Sequence, residues 1–478
     1  MEIYDDVICD DVICDDIKRA MHDIKENYKE VVRDISRPKY HFASPAKLLI
    51  DVWGGIFYKG YYHLFYDIKY REKKMGLEGA FGHLRSKDFI QWEDLPPILL
   101  PEREIGEDQL NDGTIVIDPS GKPLMYYTRD FLDASIDREH VPVRGSDDFI
   151  SWKRVEDKSL TITMKNHGGP KFHMSWSDPF IFSENNRTFM IISKCTIPGK
   201  GGVIPIYEAL DDSLLKWQYR GIFAEHTGEV VNFIKVKDKW VLIHSPYQNP
   251  KYFVGVFDIN SFKFICEKEG ILSYGYVRQG TTEESNISRG FYATSSFYGE
   301  NAVPYIVGWI SGFPNPKIWD GCVSLVRTLD IDKDGGLLMM PIPRLKELRT
   351  DVILPDADGS VKCGKTFEID AEVELESACE LEVFVQEKFK LIISENKIKF
   401  NDIAFDYQVG KILKIRMYVD VSVAEIFFDD GKASVARCFK ELSDHAELEI
   451  KCTGKINCMN IYKLGELYEK QITQEPEV

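Results

Sequence analysis

Four acidic residues stand ahead of β-hairpins at matching distances in the first half of the chain. Asp51, Asp112, Asp178 and Glu229 each precede a run of aliphatic and aromatic residues, and a turn containing Gly, Asn, Asp or Pro follows roughly six to eight residues after the acid. Carboxyl groups that lie close together raise one another's pKa, which suits them to proton transfer. The regular spacing predicts that the four acids are structural equivalents.

The hairpins belong to a longer repeat. From residue 40 to about residue 349 the sequence favours β-strands, and the second strand of the hairpin recurs at intervals of about 50 to 65 residues. A Ser-x-Asp-Phe-x-x-Trp element accompanies the hairpins at 86–92 and again at 146–152. A fifth hairpin, from Phe291 to Trp309, lacks the leading acid. Five units of this length predict a five-bladed β-propeller.

A propeller would bring the four acids together. The first strand of each blade lines the central channel, so an acid just before that strand lies at one mouth of the channel and points toward the axis. For any single acid, the alternative is a structural role, in which it caps the end of a blade or pairs with an arginine. For four acids at equivalent places we favour a shared pocket with a function. Crowded acids without partners cost stability, and such an arrangement is seldom kept without a use.

The flanking segments complete an all-β chain with an N-terminal helical extension. The first residues form a tandem DDVIC repeat, and apolar residues follow at helical spacing from Ile17 to Ile35. After about residue 349 the pattern changes to apolar–polar alternation, which is typical of an antiparallel β-sandwich. We therefore predict three domains, an acidic tail and helix at 1–37, a propeller at 38–349 and a β-sandwich at 350–478.

The composition limits the partners. Lysine and arginine total 60 against 77 acidic residues, a net charge of −17 at pH 7, which argues against nucleic acid or an anionic membrane as the main partner. No apolar run of 18 or more residues is present, and the N-terminus is acidic, unlike a secretory signal. We expect a cytoplasmic protein that acts on a small, neutral, polar substrate. An oligomer formed through the C-terminal domain stays open.

Several segments resemble glycoside hydrolase family 32, the fructoside-cleaving group that includes invertases, inulinases and levanases. Residues 50–67, IDVWGGIFYKGYYHLFYD, are similar without gaps to its first motif, N-D-P-N-G followed by a hydrophobic strand and K-G-x-Y-H-L-F-Y-Q. The SDP at 177–179 resembles the R-D-P motif of the family, and the EV at 229–230 resembles its E-C motif. The resemblance covers about residues 38 to 465.

The resemblance implies a retaining glycosidase in which three acids share the chemistry. Asp51 would attack the anomeric carbon and form a covalent glycosyl-enzyme, and Glu229 would protonate the leaving oxygen and then activate water. Asp178 would hold sugar hydroxyls and stabilise the oxocarbenium-like transition state. Retention requires the carboxyl groups of Asp51 and Glu229 to lie about 5 Å apart. No cofactor and no metal ion is expected. We expect an apolar sugar platform and further substrate contacts from five more residues, Trp53, Asp67, Phe81, Asp112 and Ser177.

The chain departs from the family pattern around these acids. Ile50 replaces the Asn before the nucleophile, Asp67 replaces a glutamine, and Ser177 replaces an arginine that binds fructose hydroxyls. The NDGT at 111–114 stands where F-S-G-S is usual and adds a carboxylate. Losing a bidentate donor and gaining an acid changes the hydrogen bonds open to the terminal sugar. We therefore expect a shifted substrate, such as an unusual fructosyl disaccharide or a difructose dianhydride.

Three other functions stay open. A fructosyltransferase or anhydride-forming enzyme would pass the same intermediate to a sugar hydroxyl. A sugar-binding propeller without catalysis is supported by Ser177 and Ile50. A related five-bladed family that inverts configuration would hold its carboxyl groups about 6.5 to 9.5 Å apart. Spacing along the sequence does not decide among these functions.

Overall fold

A computed structural model describes residues 15–45, 48–69, 79–226, 228–279, 287–316, 319–356, 360–375 and 379–467. The prediction of an all-β chain, with a five-bladed propeller followed by a β-sandwich and preceded by a helix, is confirmed. The predicted acidic tail with its DDVIC repeat, residues 1–14, lies outside the described residues. The division into three domains at 37/38 and 349/350 stays a prediction.

Five antiparallel sheets form the blades of the propeller. Blade 1 contains β1 (Leu48–Tyr58), β2 (Tyr61–Lys69), β3 (Ala80–Ser86) and β4 (Glu93–Leu99). Blade 2 contains β5 (Glu107–Ile117), β6 (Pro123–Phe131), β7 (Glu139–Gly145), β8 (Trp152–Arg154) and β9 (Ile162–Thr163). Blade 3 contains β10 (Ser177–Glu184), β11 (Arg187–Ser193), β12 (Cys195–Ile197), β13 (Gly201–Ala209) and β14 (Trp217–Ala224). Blade 4 contains β15 (Glu229–Val236), β16 (Lys239–Ser245), β17 (Lys251–Asp258) and β18 (Lys263–Ile271). Blade 5 contains β19 (Val277–Gln279), β20 (Ile287–Tyr298), β21 (Pro304–Ser311), β22 (Cys322–Val323), β23 (Arg327–Ile331) and β24 (Leu337–Pro341).

The first strands of the hairpins, β1, β5, β10, β15 and β20, line the axis of the ring. Each contacts the next, and β20 contacts β1. Two of the hairpins turn through residue pairs with left-handed φ, Lys59-Gly60 and Asn185-Asn186. Such two-residue turns match the right-handed twist of the strands that they join. Local turn chemistry therefore fixes the register of these hairpins.

Each inner strand carries a β-bulge at the same level of the ring. The register with the second strand of the hairpin shifts around Asp51 in β1, Asp112 in β5, Asp178 in β10, Val230 in β15 and Ala293 in β20. All but Asp112 have a left-handed φ, between 40° and 59°. Bulges re-aim side chains and are frequent beside active sites. The five bulges therefore define one ring of equivalent positions.

The predicted equivalence of the four acids holds for three of them. Glu229 pairs with Ser245 and stands one residue ahead of the bulge, so that Val230 occupies the equivalent position. The reason is that the register in β15 next resumes at Asn232, which leaves two residues in the bulge where β1 and β10 leave one. A longer bulge moves the acid by one place along the strand.

The repeated Ser-x-Asp-Phe-x-x-Trp element forms a capped turn before the outermost strands of two blades. In blade 1, the Ser86 hydroxyl accepts the N–H of Phe89 at 2.8 Å, and the Asp88 carboxylate accepts the N–H of Ile90 at 2.9 Å. Phe89 has a φ of 67° and is buried, and Phe149 repeats this with a φ of 65° in blade 2. Side-chain acceptors thus satisfy the turn's backbone donors.

The ring closes between the start of the propeller and its last blade. The N–H of Val323 donates to the carbonyl of Phe42 at 2.8 Å, and the N–H of Leu49 donates to the carbonyl of Asp320 at 3.0 Å. An isolated bridge between Ala43 and Cys322 continues the pairing. Residues far apart in sequence therefore hold blades 1 and 5 together.

Two six-stranded sheets form the β-sandwich. One sheet contains β25 (Arg349–Val352), β27 (Thr366–Glu374), β32 (Ile412–Asp420), β33 (Val423–Phe428), β34 (Ala433–Cys438) and β36 (Lys455–Leu464). The other contains β26 (Val361–Lys362), β28 (Leu381–Val385), β29 (Phe389–Ser394), β30 (Lys397–Phe400), β31 (Ile403–Asp406) and β35 (Glu447–Cys452). Along β33, Ala424, Ile426 and Phe428 lie in the sandwich core, whereas Phe427 packs in the cluster of blade 1. Successive side chains of β33 point to opposite faces, and both faces of this strand are therefore buried.

Helix α1 (Asp15–Val31) packs against the outside of blade 1. Its buried face shares a cluster with Phe89, Ile90 and Trp92. The predicted helix end at Ile35 is wrong. The Asp34 carboxylate accepts the N–H of Ser36 at 2.8 Å, a local turn that competes with helix, and Ile35 is 76% exposed. Of the helices in the described part of the chain, none is both long and apolar enough to cross a lipid bilayer.

A buried ionic network joins the propeller to the sandwich. The Asp420 carboxylate, at the end of β32, accepts the backbone N–H groups of Lys39, Tyr40 and His41 at 2.7 to 2.9 Å. Because three donors converge on one carboxylate, the segment that enters blade 1 is held against the sandwich.

Glu425 of β33 is the second anchor of this network. It accepts hydrogen bonds from the guanidinium of Arg327 in blade 5 and from the N–H of Leu325, the latter at 2.6 Å. His41 bridges the two acids, 2.9 Å from Asp420 and 3.0 Å from Glu425. Burial alone would lower the pKa of His41, but its bonds to the two carboxylates outweigh burial and raise that pKa to about 9. Glu425 of the sandwich therefore supplies negative charge to Arg327 and His41 of the propeller.

We expect Glu425→Gln to destabilise the protein by about 3–5 kcal/mol, because it leaves Arg327 buried without its counter-charge and protonated His41 with one of its two carboxylates. Thermal unfolding followed by circular dichroism would measure the fall in Tm. Glu449→Gln is the control, since Glu449 pairs with Lys451 at 2.8 Å on the exposed face of the sandwich and such pairs contribute little. Equal Tm values for the two variants would contradict an anchoring role for Glu425.

Candidate active site

The bulges gather the predicted acids at one mouth of the propeller. Asp51, Asp112 and Asp178 lie on three bulges, and Glu229 opens β15. Asp112, Asp178 and Glu229 are 3%, 4% and 9% exposed, whereas Asp51 is half-buried. Asp67 of β2 joins them as a fifth acid, 2% exposed. The structure thus places all five predicted acidic site residues in one cluster.

Asp51, Asp67 and Asp112 form the first half of the cluster. Carboxylate oxygens of the three lie within 4.8 Å of one another. The indole N–H of Trp53 donates to Asp67 Oδ1 at 3.1 Å, and Lys69 Nζ lies 3.6 Å from Asp67 Oδ2. Among the described residues, none donates a hydrogen bond to Asp112 Oδ1.

Asp178 is held by hydrogen bonds to three blades. Its Oδ2 accepts the N–H of Val230 at 3.0 Å and the hydroxyl of Ser193 at 3.1 Å. Its own N–H donates to the Thr128 hydroxyl of blade 2 at 3.0 Å. These bonds fix the left-handed backbone of Asp178 and the direction of its carboxylate.

Lys194 completes the second half of the cluster. Its Nζ lies 2.7 Å from Glu229 Oε2 and 3.5 Å from Asp178 Oδ2, and its side chain is 15% exposed. One ammonium group therefore pairs with two carboxylates that come from neighbouring blades.

The two halves differ in how their charge is offset. Burial, together with the charges of Glu229 and Asp67, raises the pKa of Asp51 to about 8. Burial, together with Asp51 and Asp67, raises the pKa of Asp112 well above its usual range. Burial also raises the pKa of Asp67 to about 6. At neutral pH, protons therefore neutralise part of this half.

In the second half, cation and anion support each other's charge. Burial would raise the pKa of Asp178, but Lys194 and the N–H of Val230 outweigh burial and lower it. Burial would lower the pKa of Lys194, but Asp178 and Glu229 outweigh burial and raise it well above its usual range. Lys194 and Asp178 therefore stay ionised together.

The first half has the spacing of a metal-binding group, since a divalent ion takes oxygen ligands that lie this close. Lys69 already supplies a positive charge beside Asp67. Asp51 and Asp112 also hold protons that a metal would have to displace. We therefore assign no metal to the cluster.

Three predicted substrate contacts are placed differently from expectation. Trp53 and Phe81 are 1% and 0% exposed, with ring centroids 4.4 Å apart. They belong to the core between blades 1 and 2, so neither ring face forms the predicted sugar platform. Ser177 is fully buried beside Asp178. Trp53 reaches the cluster through its indole N–H alone.

Sequence reasoning missed the two lysines. Lys69 lies two residues after Asp67 on β2, so period-two alternation puts both on one face of the strand. Lys194 follows Ser193, which pairs with Ser177 directly ahead of the bulge. This pairing could have identified Lys194 from the sequence. Residues opposite the bulge, on the second strand of a hairpin, must also face the mouth of the propeller.

A cavity of about 500 Å³ continues below the acids along the axis. Asp112 and Asp178 line its upper end, and Ile117, Ser183 and Tyr298 line its lower end. Asp51 and Glu229 are absent from its lining. Asp112 and Asp178 are therefore the acids of the cluster that border this cavity.

Comparison with known proteins places the chain in a family. The family described as "Glycosyl hydrolases family 32 N-terminal domain" matches residues 41–341. The chain is 24% identical to sucrose-6-phosphate hydrolase of Escherichia coli, over 86% of this chain and 91% of that protein. It is 25% identical to fructan 6-exohydrolase of Beta vulgaris, over 70% of this chain and 59% of that protein.

Solved structures share the fold. The sucrose-6-phosphate hydrolase of Lactobacillus gasseri superposes with a TM-score of 0.77 at 21% identity, over 93% of this chain and 96% of that one. The GH32 β-fructofuranosidase of Bombyx mori superposes with a TM-score of 0.75 at 21% identity, over 94% and 99%. Because the family match spans more than half of the sequence, the chain belongs to glycosyl hydrolase family 32 and is a glycoside hydrolase.

Proposed function

We propose that the chain is a retaining glycosidase that cleaves a small fructose-containing oligosaccharide. The observation that carries this proposal is the meeting of Asp51 and Glu229 at one mouth, near enough for the charge of Glu229 to raise the pKa of Asp51. Asp178 lies beside them on its bulge. Family membership and relatives that are named as fructoside hydrolases support the same substrate class.

In the proposed reaction, a carboxylate oxygen of Asp51 attacks the anomeric carbon while the bond to the leaving oxygen breaks, and Glu229 gives that oxygen its proton. In the second step Glu229 takes a proton from water, whose oxygen attacks the anomeric carbon and releases Asp51. Asp178 accepts hydrogen bonds from sugar hydroxyls. In the free enzyme Asp51 holds a proton, but Asp51 must be ionised to attack. The active form of the Asp51 and Glu229 pair therefore has one proton, and that proton is on Glu229.

The surroundings of the acids support a shifted substrate. Asp67 and Asp112 add carboxyl groups beside Asp51, and the buried Ser177 leaves no arginine at the start of β10. A neutral Asp112 can donate a hydrogen bond to a sugar hydroxyl, which a carboxylate cannot. An unusual fructosyl disaccharide or a difructose dianhydride is therefore a better candidate substrate than sucrose or inulin. A cytoplasmic location, the lack of nucleic-acid and membrane partners, and an oligomer through the sandwich stay predictions.

We expect the wild-type protein to release fructose from at least one member of a panel of fructosyl disaccharides, difructose dianhydrides, and short inulin and levan oligomers. Asp51→Asn should lower the rate by about 10³-fold or more, because the nucleophile is lost. Product chromatography is the measurement, and Asp147→Asn, at an exposed acid that pairs with Lys59, is the control. Longer or cyclic products would favour transfer. Sugar binding without turnover in wild type and Asp51→Asn alike would favour a binding protein.

We expect Glu229→Gln to accumulate a glycosyl-enzyme on Asp51 when it is given an aryl fructofuranoside. An activated leaving group needs little protonation, so the first step proceeds, whereas the second step lacks its base. Mass spectrometry of the acid-quenched protein should show one added hexosyl unit on the peptide that contains Asp51. Asp51→Asn should remain unlabelled. An unlabelled Glu229→Gln variant that still releases product would support inversion.

The pH profile should report the raised pKa of Asp51. The one-proton form is lost as pH rises through the pKa of Asp51, so we expect kcat/KM to fall above about pH 8. Asp67→Asn should move this alkaline limb to lower pH, because it removes a negative charge that raises the pKa of Asp51, while the amide still accepts from Trp53. An alkaline limb that Asp67→Asn leaves unmoved would contradict the electrostatic coupling between Asp67 and Asp51. Initial rates from pH 5 to about pH 10 would measure it.

A further inference from the structure

Lys194 occupies a position that no local preference explains. It has a φ of 54°, in the left-handed region where a residue other than glycine costs of order 1–3 kcal/mol. Its side chain has no local backbone acceptor of the kind that lets Asn or Asp adopt this conformation. Glycine would relieve the strain, so the presence of lysine points to a use for its side chain.

The backbone of Lys194 ties together the segments that lead into both acids. Its N–H donates to the carbonyl of Gly228 at 3.0 Å, directly ahead of Glu229. Its carbonyl accepts the N–H of Trp176 at 2.9 Å, two residues ahead of Asp178. The residue that supplies the ammonium group therefore also fixes the backbone on which the two carboxylates stand.

The position of Lys194 relates it to Ser177. Ser177 pairs with Ser193 in the hairpin of blade 3, and Lys194 is the next residue. The start of β10 carries serine, and the cation beside Asp178 comes from the end of the partner strand β11. A chain with arginine at 177 would carry this positive charge at the start of β10. Here the charge lies at the end of the partner strand β11.

We propose that Lys194 is the positioning residue of the acid pair: its ammonium holds Glu229 and Asp178 in their reactive arrangement and carries their counter-charge in place of a cation at 177. The inference rests on the proposed function. Lys194 acts through the two carboxylates and takes no part in bond making. The groups that face the pair from the elements around it are Asp51, Asp67 and Lys69 of blade 1, Asp112, Arg138 and His140 of blade 2, Cys195 of blade 3, Tyr247 of blade 4, and Tyr276 and Tyr292 of blade 5.

The kinetic test compares Lys194→Met, Lys194→Arg and Ser177→Arg/Lys194→Met on the fructoside that the wild type cleaves. Methionine keeps most of the length of the lysine side chain and removes its charge, so we expect kcat/KM to fall about 100-fold. The alkaline limb should move to higher pH, because the remaining acids then hold their shared proton more tightly. Lys194→Arg should stay within about tenfold of wild type, since it restores the charge. The relocated arginine should recover part of the loss.

Lys200→Met, at an exposed lysine six residues further on, is the control and should leave rate and pH profile unchanged. A Lys194→Met variant with a lowered rate and an unmoved limb would reduce Lys194 to a structural role and overturn the proposal. An unchanged rate would overturn it as well.

A second measurement is independent of activity. The Tm values of wild type, Lys194→Met, Glu229→Gln and the double variant form a thermodynamic cycle. We expect Lys194→Met to lower Tm less in the Glu229→Gln background, because only one of the two carboxylates, Asp178, then loses its counter-charge. Additive changes would overturn the proposal. Should the wild type cleave no fructoside, the proposed function fails, and this cycle alone decides whether Lys194 holds the acid pair.

Discussion

Repulsion among buried carboxylates is the force that the rest of the site has to offset. Five acids share one mouth of the ring with two lysines, so charge pairing alone leaves an excess of negative charge. Protons neutralise part of the half that contains Asp51 and Asp112, and the ammonium of Lys194 offsets negative charge in the half that contains Asp178. A glycosidase needs one ionised and one protonated carboxyl group. In the free protein the proton lies in the half of Asp51, and the proposed reaction needs that proton on Glu229.

A rigid scaffold has to hold such a cluster against its own repulsion. Asp51, Asp112 and Asp178 stand on β-bulges, so these strands cannot slide in register without moving a carboxylate. The closed ring prevents the strands from spreading apart. Asp420 and Glu425 of the sandwich fix the segment that enters blade 1 and one strand of blade 5. Contacts far from the acids therefore contribute to their spacing.

Much of the architecture follows from local patterns. The recurrence of an acid before a hairpin predicted the propeller and the convergence of Asp51, Asp112 and Asp178, because strand alternation and turn residues are encoded in short stretches. The length of a bulge has no such code, and Glu229 was placed one position away from its true equivalent. Trp53 and Phe81 were predicted as substrate contacts because the type of a side chain does not reveal which neighbouring blade covers it. Lys194 was missed because its role depends on pairing between strands.

The pairing of Phe42 and Leu49 with blade 5, and of His41 with Asp420, has a consequence for biosynthesis. His41 and Asp420 are 379 residues apart in the chain. The ring can close only after Asp320 and Val323 have been made, and the carboxylate that holds its first segment is made about a hundred residues later. Contacts of such long sequence separation form slowly. The emerging chain therefore carries blades with open edges for most of its synthesis, so catalytic competence is among the last properties that this protein acquires.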